Sequence, residues 1–294
     1  MRERVACLGQ ELGASVRTIC RTLGIHRSRL YGRPWASSNS RGASVEVTDV
    51  EIIPVLHELA GEFPTYGTRR LKVLVSRRLG KPVNRKRILR LLRQEGLMTA
   101  RRTARARPRP HPREVEATAT NQVWQMDFTK VLVGDRWAWL LVVLDRFSRE
   151  IVSYGLSWRG RAQEVIEVIE RALVERFPYG VKGSGLKLAS DNGSAFLAEP
   201  LRTLARDLEM ELLHTRLRYP EGNGRCERLI RTIKEEEVWL NQYETLEKAR
   251  ERIATYIRFY NHERIHSALG YLTPHQYAAL WREVELAVSE KSLV

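Results

Sequence analysis

The spacing of apolar and polar positions changes character along this chain. Between Ser15 and Tyr31, Val16, Ile19, Cys20 and Leu23 recur at helical intervals, Gly24 breaks the series, and Ile25 to Tyr31 resumes it with Arg27 and Arg29. This predicts two short helices in a helix-turn-helix-like segment over residues 1–36, a pattern that any αα corner shares. A polar stretch, Ser37 to Gly42, reads as a linker. A second helical unit spans 47–98. After Phe63-Pro64-Thr65-Tyr66-Gly67, one helix carries Leu71, Leu74, Val75 and Leu79 on its apolar side, and Gly80-Lys81-Pro82 turns the chain. Asn84 then caps a helix with Ile88, Leu89, Leu91 and Leu92 inside, and Gly96 stops it. Residues 99–118 lose all periodicity and are rich in Arg and Pro, which predicts an extended linker and a domain boundary.

Beyond the linker, alternating strands and helices take over. Gln122 to Phe128 and Trp137 to Leu144 read as antiparallel neighbours joined through Val133-Gly134-Asp135, and Ile151 to Leu156 as a third strand. Ala162 to Arg176 is an amphipathic helix, Leu186 to Ala189 a short apolar strand, Leu201 to Leu208 a helix, Glu211 to His214 a fifth strand, and Gly224 to Leu240 a long helix. That order implies a mixed sheet with helices on both faces, in a core over 119–284 followed by a tail over 285–294. No internal repeat is visible.

Charge sharpens this division. Of the net +15, residues 1–120 supply the whole, with 25 basic and 10 acidic side chains, whereas residues 121–294 carry 25 of each. A basic module joined to a neutral one fits a DNA-gripping part attached to a part with other work. Arg69, Arg70, Lys72, Arg85, Lys86, Arg87 and Arg90, on two helices separated by a tight turn, are the candidate phosphate contacts, the bland alternative being a solvated basic face. The opening residues contain no apolar signal core, and the longest apolar run, Trp137 to Leu144, is eight residues. A cytoplasmic protein with no membrane partner is expected. Cys7, Cys20 and Cys226 are too few and too scattered for a disulfide framework or a zinc knuckle, and His214, His262 and His266 show no zinc spacing.

Three acids occupy special places. Asp127 stands near the end of the first apolar strand, Asp191 follows the fourth directly in Ser190-Asp191-Asn192-Gly193, and Glu227 falls in the first turn of the long helix, with Asn223 as its cap. Clustered carboxylates in an apolar sheet are costly unless cations neutralise them, and Mg²⁺ suits oxygen ligands while keeping positions open for water and phosphate. Arg231 and Lys234 lie on nearly the same helix face as Glu227 and could hold DNA phosphate. Among competing acids, Asp145 reads as an ion pair with Arg146 and Arg149, and Glu235, Glu236 and Glu237 as a solvated helix face.

These motifs resemble a family. The WQMDFT strand, the LDRFSREIVSY strand pair, the SDNGSAF turn and the PEGNGRCERLIRTIKEE helix are similar to the catalytic domain of the retroviral-integrase superfamily, specifically the transposases of two-reading-frame bacterial insertion sequences. Thirty-five residues separate Asp191 from Glu227, and a basic residue, Lys234, follows seven positions after the Glu. Tyr66 to Arg70 with Val83 to Arg87 resembles the family's helix-turn-helix, and Phe259-Tyr260-Asn261-His262-Glu263-Arg264-Ile265-His266 with Leu272-Thr273-Pro274 its usual ending. Ala195, Gly222 and Gly224 depart from the family's habit without touching the acids. The resemblance implies a ribonuclease-H-like five-stranded sheet preceded by small helix-turn-helix units, with Asp127, Asp191 and Glu227 as catalytic metal ligands. It implies two Mg²⁺ ions, Mn²⁺ substituting, one activating the attacking water or 3′-hydroxyl and one stabilising the leaving oxygen. It further implies cleavage at element ends, strand transfer into target DNA, assembly as a homo-oligomer on nucleoid DNA, and a possible upstream-frame DNA-binding product as partner. A junction-type nuclease on the same fold, and a DNA-binding regulator retaining an inactive core, are the alternatives.

Overall fold

The computed structural model describes Cys20 and residues 47–98, 117–214 and 224–292; the helices read in 1–36, most of the Arg/Pro-rich linker, and the capping role of Asn223 lie outside the described residues. The chain divides into two compact units, residues 1–108 with 265–272, and residues 109–264 with 273–294.

The first unit is built on three helices: α1 (Asp49–Glu62), α2 (Thr68–Arg78) and α3 (Arg85–Gln94). The cap expected at Asn84 is present, its Oδ1 accepting from Lys86 N at 2.9 Å, and Gly96 leaves α3 with φ +68° in the left-handed region. Ile52, Leu56, Leu71, Val75, Ile88, Leu91 and Leu92 fill the centre, joined by Ile265 from far along the chain. Helix α1 does not stand out in the sequence pattern. Pro54, which offers no N–H to the turn before it, interrupts its apolar series, yet the helix continues through it because Ile52, Leu56 and Leu59 are buried on one side.

The second unit carries the sheet. Its elements are β1 (Val123–Val133), β2 (Arg136–Asp145), β3 (Ile151–Ser157), α4 (Ala162–Arg176), β4 (Lys187–Ser190), α5 (Ser194–Leu197), α6 (Glu199–Asp207), β5 (Glu211–His214), α7 (Gly224–Glu236), α8 (Leu246–His262) and α9 (Pro274–Ser292), with a short 3-10 turn at Val238–Leu240. The strand order is β3-β2-β1-β4-β5; β3, β2 and β1 pair antiparallel, β4 and β5 join in parallel. This is the mixed five-stranded sheet expected from the sequence. Strand alternation gives it two apolar faces. Trp124 and Met126 of β1 pack with Val165, Ile169, Phe196 and Leu201 beneath α4, α5 and α6. Val131 and Val133 pack on the other side with Cys226, Leu229, Ile230 and Ile233 of α7 and with Ile253 and Ile257 of α8.

Two polar devices lock the second face. The Asn261 side chain, at the end of α8, accepts from Ile151 N and donates to Ile151 O, both at 2.9 Å, and so pairs with the outer edge of β3 as another strand would. Arg171 Nη2 and Arg250 Nε donate to the Tyr154 and Leu156 carbonyls farther along that strand. The second device is a buried ion pair. Arg264 donates through Nε and Nη2 to the two carboxylate oxygens of Glu236 at 2.7 Å each, Tyr256 OH donates to Glu236 Oε2 at 3.0 Å, and the two charged side chains are 4% and 10% exposed. Glu237 is buried as well, with Tyr243 OH donating to it at 3.2 Å. The solvated acidic face expected at 235–237 is therefore confined to Glu235, which pairs with Arg231 at 2.7 Å. Helix α7 ends at Glu236, and the 3-10 turn at Val238–Leu240 follows it.

Two stability measurements follow from these contacts. Asn261→Ala removes both partners of the Ile151 backbone, and urea unfolding of the full chain is expected to show a loss of about 2 kcal/mol or more. Arg264→Met strands the Glu236 carboxylate and is expected to cost about 3–5 kcal/mol, much of it regained when Glu236→Leu is added.

Candidate active site

The placement of Asp127 follows from strand register. Val123, Trp124 and Gln125 of β1 face Lys187, Leu188 and Ala189 of β4 in parallel, so Asp127 and Asp191 stand at the same level, two residues beyond the last of these pairs. The apolar pattern suggests that Asp127 lies near the end of its strand. In fact β1 runs on to Val133, and what ends is its neighbour: β4 stops at Ser190, which leaves the flank of β1 uncovered beside Asp127. Alternation directs Asp127 to the face shared by Val131 and Val133, the face on which α7 lies. Helix α7 turns Cys226, Leu229, Ile230 and Ile233 inward and leaves Glu227 exposed next to the buried Cys226.

Electrostatics ties the three acids together. The Asp127 carboxyl is pushed up to about 7, first by burial and next by the negative charge of Asp191; Glu227 pushes in the same direction, while the Phe128 backbone N–H and the Lys234 ammonium pull it back. Burial also pushes the Cys226 thiol well up, with Asp127 and Glu227 adding to it. By spacing alone Cys226 is one of three scattered thiols; its adjacency to Glu227 is the signal in the sequence that it lines this site. Asp191 is held by its own turn: Oδ1 accepts from Gly193 N at 2.9 Å. A Cβ at Gly193 would stand 3.0 Å from that oxygen and 3.3 Å from the Phe196 ring, so a side chain there would crowd both. Behind it, Ser190 Oγ donates to Asp191 O at 3.0 Å and lies 3.2 Å from His214 Nδ1 at the end of β5.

Among the described residues no three acid, histidine or cysteine side chains enclose a metal position. The fit to a hard divalent cation therefore rests on donor chemistry and charge: a half-buried carboxyl that resists ionisation, with two further acids acting on it, is what such a cation would neutralise.

The remaining candidates separate clearly. Asp145 is buried and fastened by the turn that follows it. Its carboxylate accepts from the backbone N–H groups of Asn121, Phe147 and Ser148 and from Ser148 Oγ, at 2.7 to 3.0 Å. In the first unit, Arg69, Arg85 and Lys86 are exposed on α2 and α3, Lys72 is half-buried, and the Arg70 guanidinium lies 4.8 Å from the Tyr66 ring centre. Arg87 and Arg90 are engaged within the fold, donating to the two carboxylate oxygens of Asp49 at 2.5 and 2.6 Å. Arg231 is bound to Glu235, whereas Lys234 acts on Asp127.

An "HTH-like domain" model matches residues 49–105, and two "Integrase core domain" models match residues 117–220 and 208–274. The chain is 30% identical over 282 residues to "Transposase InsD for insertion element IS2A/D/F/H/I/K" of Escherichia coli, covering 90% of this chain and 91% of that one. Among solved structures it is similar to the simian T-cell lymphotropic virus intasome in complex with PP2A regulatory subunit B56 gamma, at 18% identity and TM-score 0.45 over 76% of this chain and 74% of that one. It is also similar to the HTLV-2 integrase catalytic core domain in complex with magnesium, at 19% identity and TM-score 0.41 over 54% of this chain and 97% of that one. No helix among the described residues is long and apolar enough to cross a membrane.

Proposed function

Because the chain belongs to the integrase-core transposases of bacterial insertion elements, we propose that it cleaves DNA at the ends of such an element and joins the freed 3′-hydroxyl to target DNA. The observation that carries this reading is the coupling of Asp127 to Asp191 and Glu227 where β4 stops short. Asp127, Asp191 and Glu227 are the catalytic residues in this reading, and together they would hold two Mg²⁺ ions, with Mn²⁺ as substitute. When bound, such ions supply an activated oxygen nucleophile and charge stabilisation of the leaving oxygen in phosphoryl transfer. The chain's own contribution is geometric. The strand fixes Asp127, the Gly193 turn fixes Asp191, and the apolar seating of α7 presents Glu227 across from them. Lys234 brings positive charge to the same place, where a scissile phosphate would lie.

DNA would be gripped upstream by Arg69, Arg70, Lys72, Arg85, Lys86, Arg87 and Arg90, the last two while also bound to Asp49. Arg231 would serve similarly beside Lys234. In this reading residues 1–36 and 47–98 recognise DNA, 99–118 link, 119–284 catalyse and 285–294 trail. The chain would act on nucleoid DNA in the cytoplasm, as a homo-oligomer, alone or with an upstream-frame product.

Asp127→Asn, Asp191→Asn and Glu227→Gln are each expected to abolish cleavage and joining while DNA affinity is retained. EDTA should abolish both reactions in the unaltered chain, and added Mg²⁺ or Mn²⁺ should restore them. The assay uses duplexes carrying the repeats that flank the gene, both intact and pre-cut. Mg²⁺-dependent joining by Glu227→Gln would sink the assignment, and cleavage without joining of pre-cut ends would identify a nuclease instead.

A further inference from the structure

The turn between β2 and β3 carries positive charge that the acidic site does not use. Arg149 stands there with φ +62°, a left-handed conformation that residues other than Gly, Asn and Asp seldom adopt. The turn is held by Arg149 N donating to Asp145 O at 2.9 Å and by the hydrogen bonds that fasten the Asp145 carboxylate. Burial lowers the proton affinity of the Arg149 guanidinium, and the nearby charges of Arg225 and Arg228 lower it further. Those two arginines come from the first turns of α7, three residues apart and thus on one side of the helix. Arg225 Nη1 donates to Arg146 O at 2.6 Å, which pins it beside the turn. Arg228 is exposed, and among the described residues no carboxylate pairs with Arg149 or Arg228.

Like charges gathered in this way repel one another, and a protein surface ordinarily relieves them with carboxylates or lets the side chains diverge. Here a constrained turn and a helix hold them together. Guanidinium groups brought to one turn from two elements match the oxygens of a phosphodiester, and Arg225 and Arg228 belong to the same two turns of α7 that carry Glu227. We propose that Arg149, Arg225 and Arg228 form a phosphate cradle that holds the DNA backbone next to the Asp127 site, on the flank of α7 that faces the β2–β3 turn. These are positioning residues; the proposal rests on the reading that the neighbouring site works on DNA.

The test uses the full chain and a duplex carrying the repeats that flank its gene, without divalent metal, and plots the logarithm of affinity against that of salt concentration. Each arginine that grips one phosphate is expected to contribute about one to the slope. Arg228→Gln should therefore lower it by about one and Arg149→Gln with Arg228→Gln by about two, while Arg228→Lys retains the slope. Thermal unfolding of Arg228→Gln should be unchanged. An unaltered slope in Arg228→Gln overturns the cradle, and this variant decides alone if Arg149→Gln does not fold. Glu227→Gln separates the two readings: its slope should match the unaltered chain, so an active Glu227→Gln beside a reduced slope in Arg228→Gln refutes the metal assignment and leaves the cradle standing.

Discussion

The seating of α7 on the sheet is the interaction on which the rest of the acidic site depends. Cys226, Leu229, Ile230 and Ile233 sink into the apolar face formed by Val131 and Val133, and the helix cannot rotate without exposing them. Rotation is what would matter, because Glu227 is adjacent in sequence to a fully buried residue and points elsewhere by one helical step of about 100°. The far end of the helix is fixed by charge. Glu236 enters the protein to meet Arg264, and Tyr256 completes the shell of the carboxylate. An apolar stripe thus sets the angle of the helix and a buried ion pair sets its depth, a division of labour that hydrophobic contact alone, which is non-directional, would not provide.

The opposite requirement governs the strands. In the role proposed for it Asp127 must not be covered, and a five-stranded sheet with long central strands would cover it. The four-residue length of β4 resolves this conflict by ending the parallel pairing just before Asp191, so that the sheet remains continuous below the acids and open at their level. The cost is visible in the Asp127 carboxyl, which is pushed up by burial and by its neighbours.

Much of this is legible in the sequence, for a physical reason in each case. Period-two and period-3.6 patterns report burial, so the five strands and most helices of the second unit can be read from Val, Leu, Ile and Trp placement. The carboxylates can be singled out because acids are rare beside such runs. What escapes is decided by tertiary contact. Helix α1 is hidden by Pro54, whose local penalty is outweighed by burial of Ile52 and Leu56. Glu236 and Glu237 look like solvent-facing acids because nothing local announces a partner that arrives from Arg264 or Tyr243. Asn261 and Arg264 are visible only as parts of a family-like ending. The structure gives each a task, one as a surrogate strand for β3 and the other as the counter-charge of α7.

The same ending has a consequence for the order in which the molecule can be completed. Residues 265–272 belong to the first unit, where Ile265 is buried among residues of α1, α2 and α3 and the Tyr271 carbonyl accepts from Arg77 at 2.8 Å. The three helices of that unit leave the ribosome early, but its interior lacks a side chain until nearly the entire chain has been synthesised. The core of the basic module therefore cannot close until Ile265 has been made, long after its three helices, and a chain truncated anywhere before Ile265 would present that module with a gap in its core.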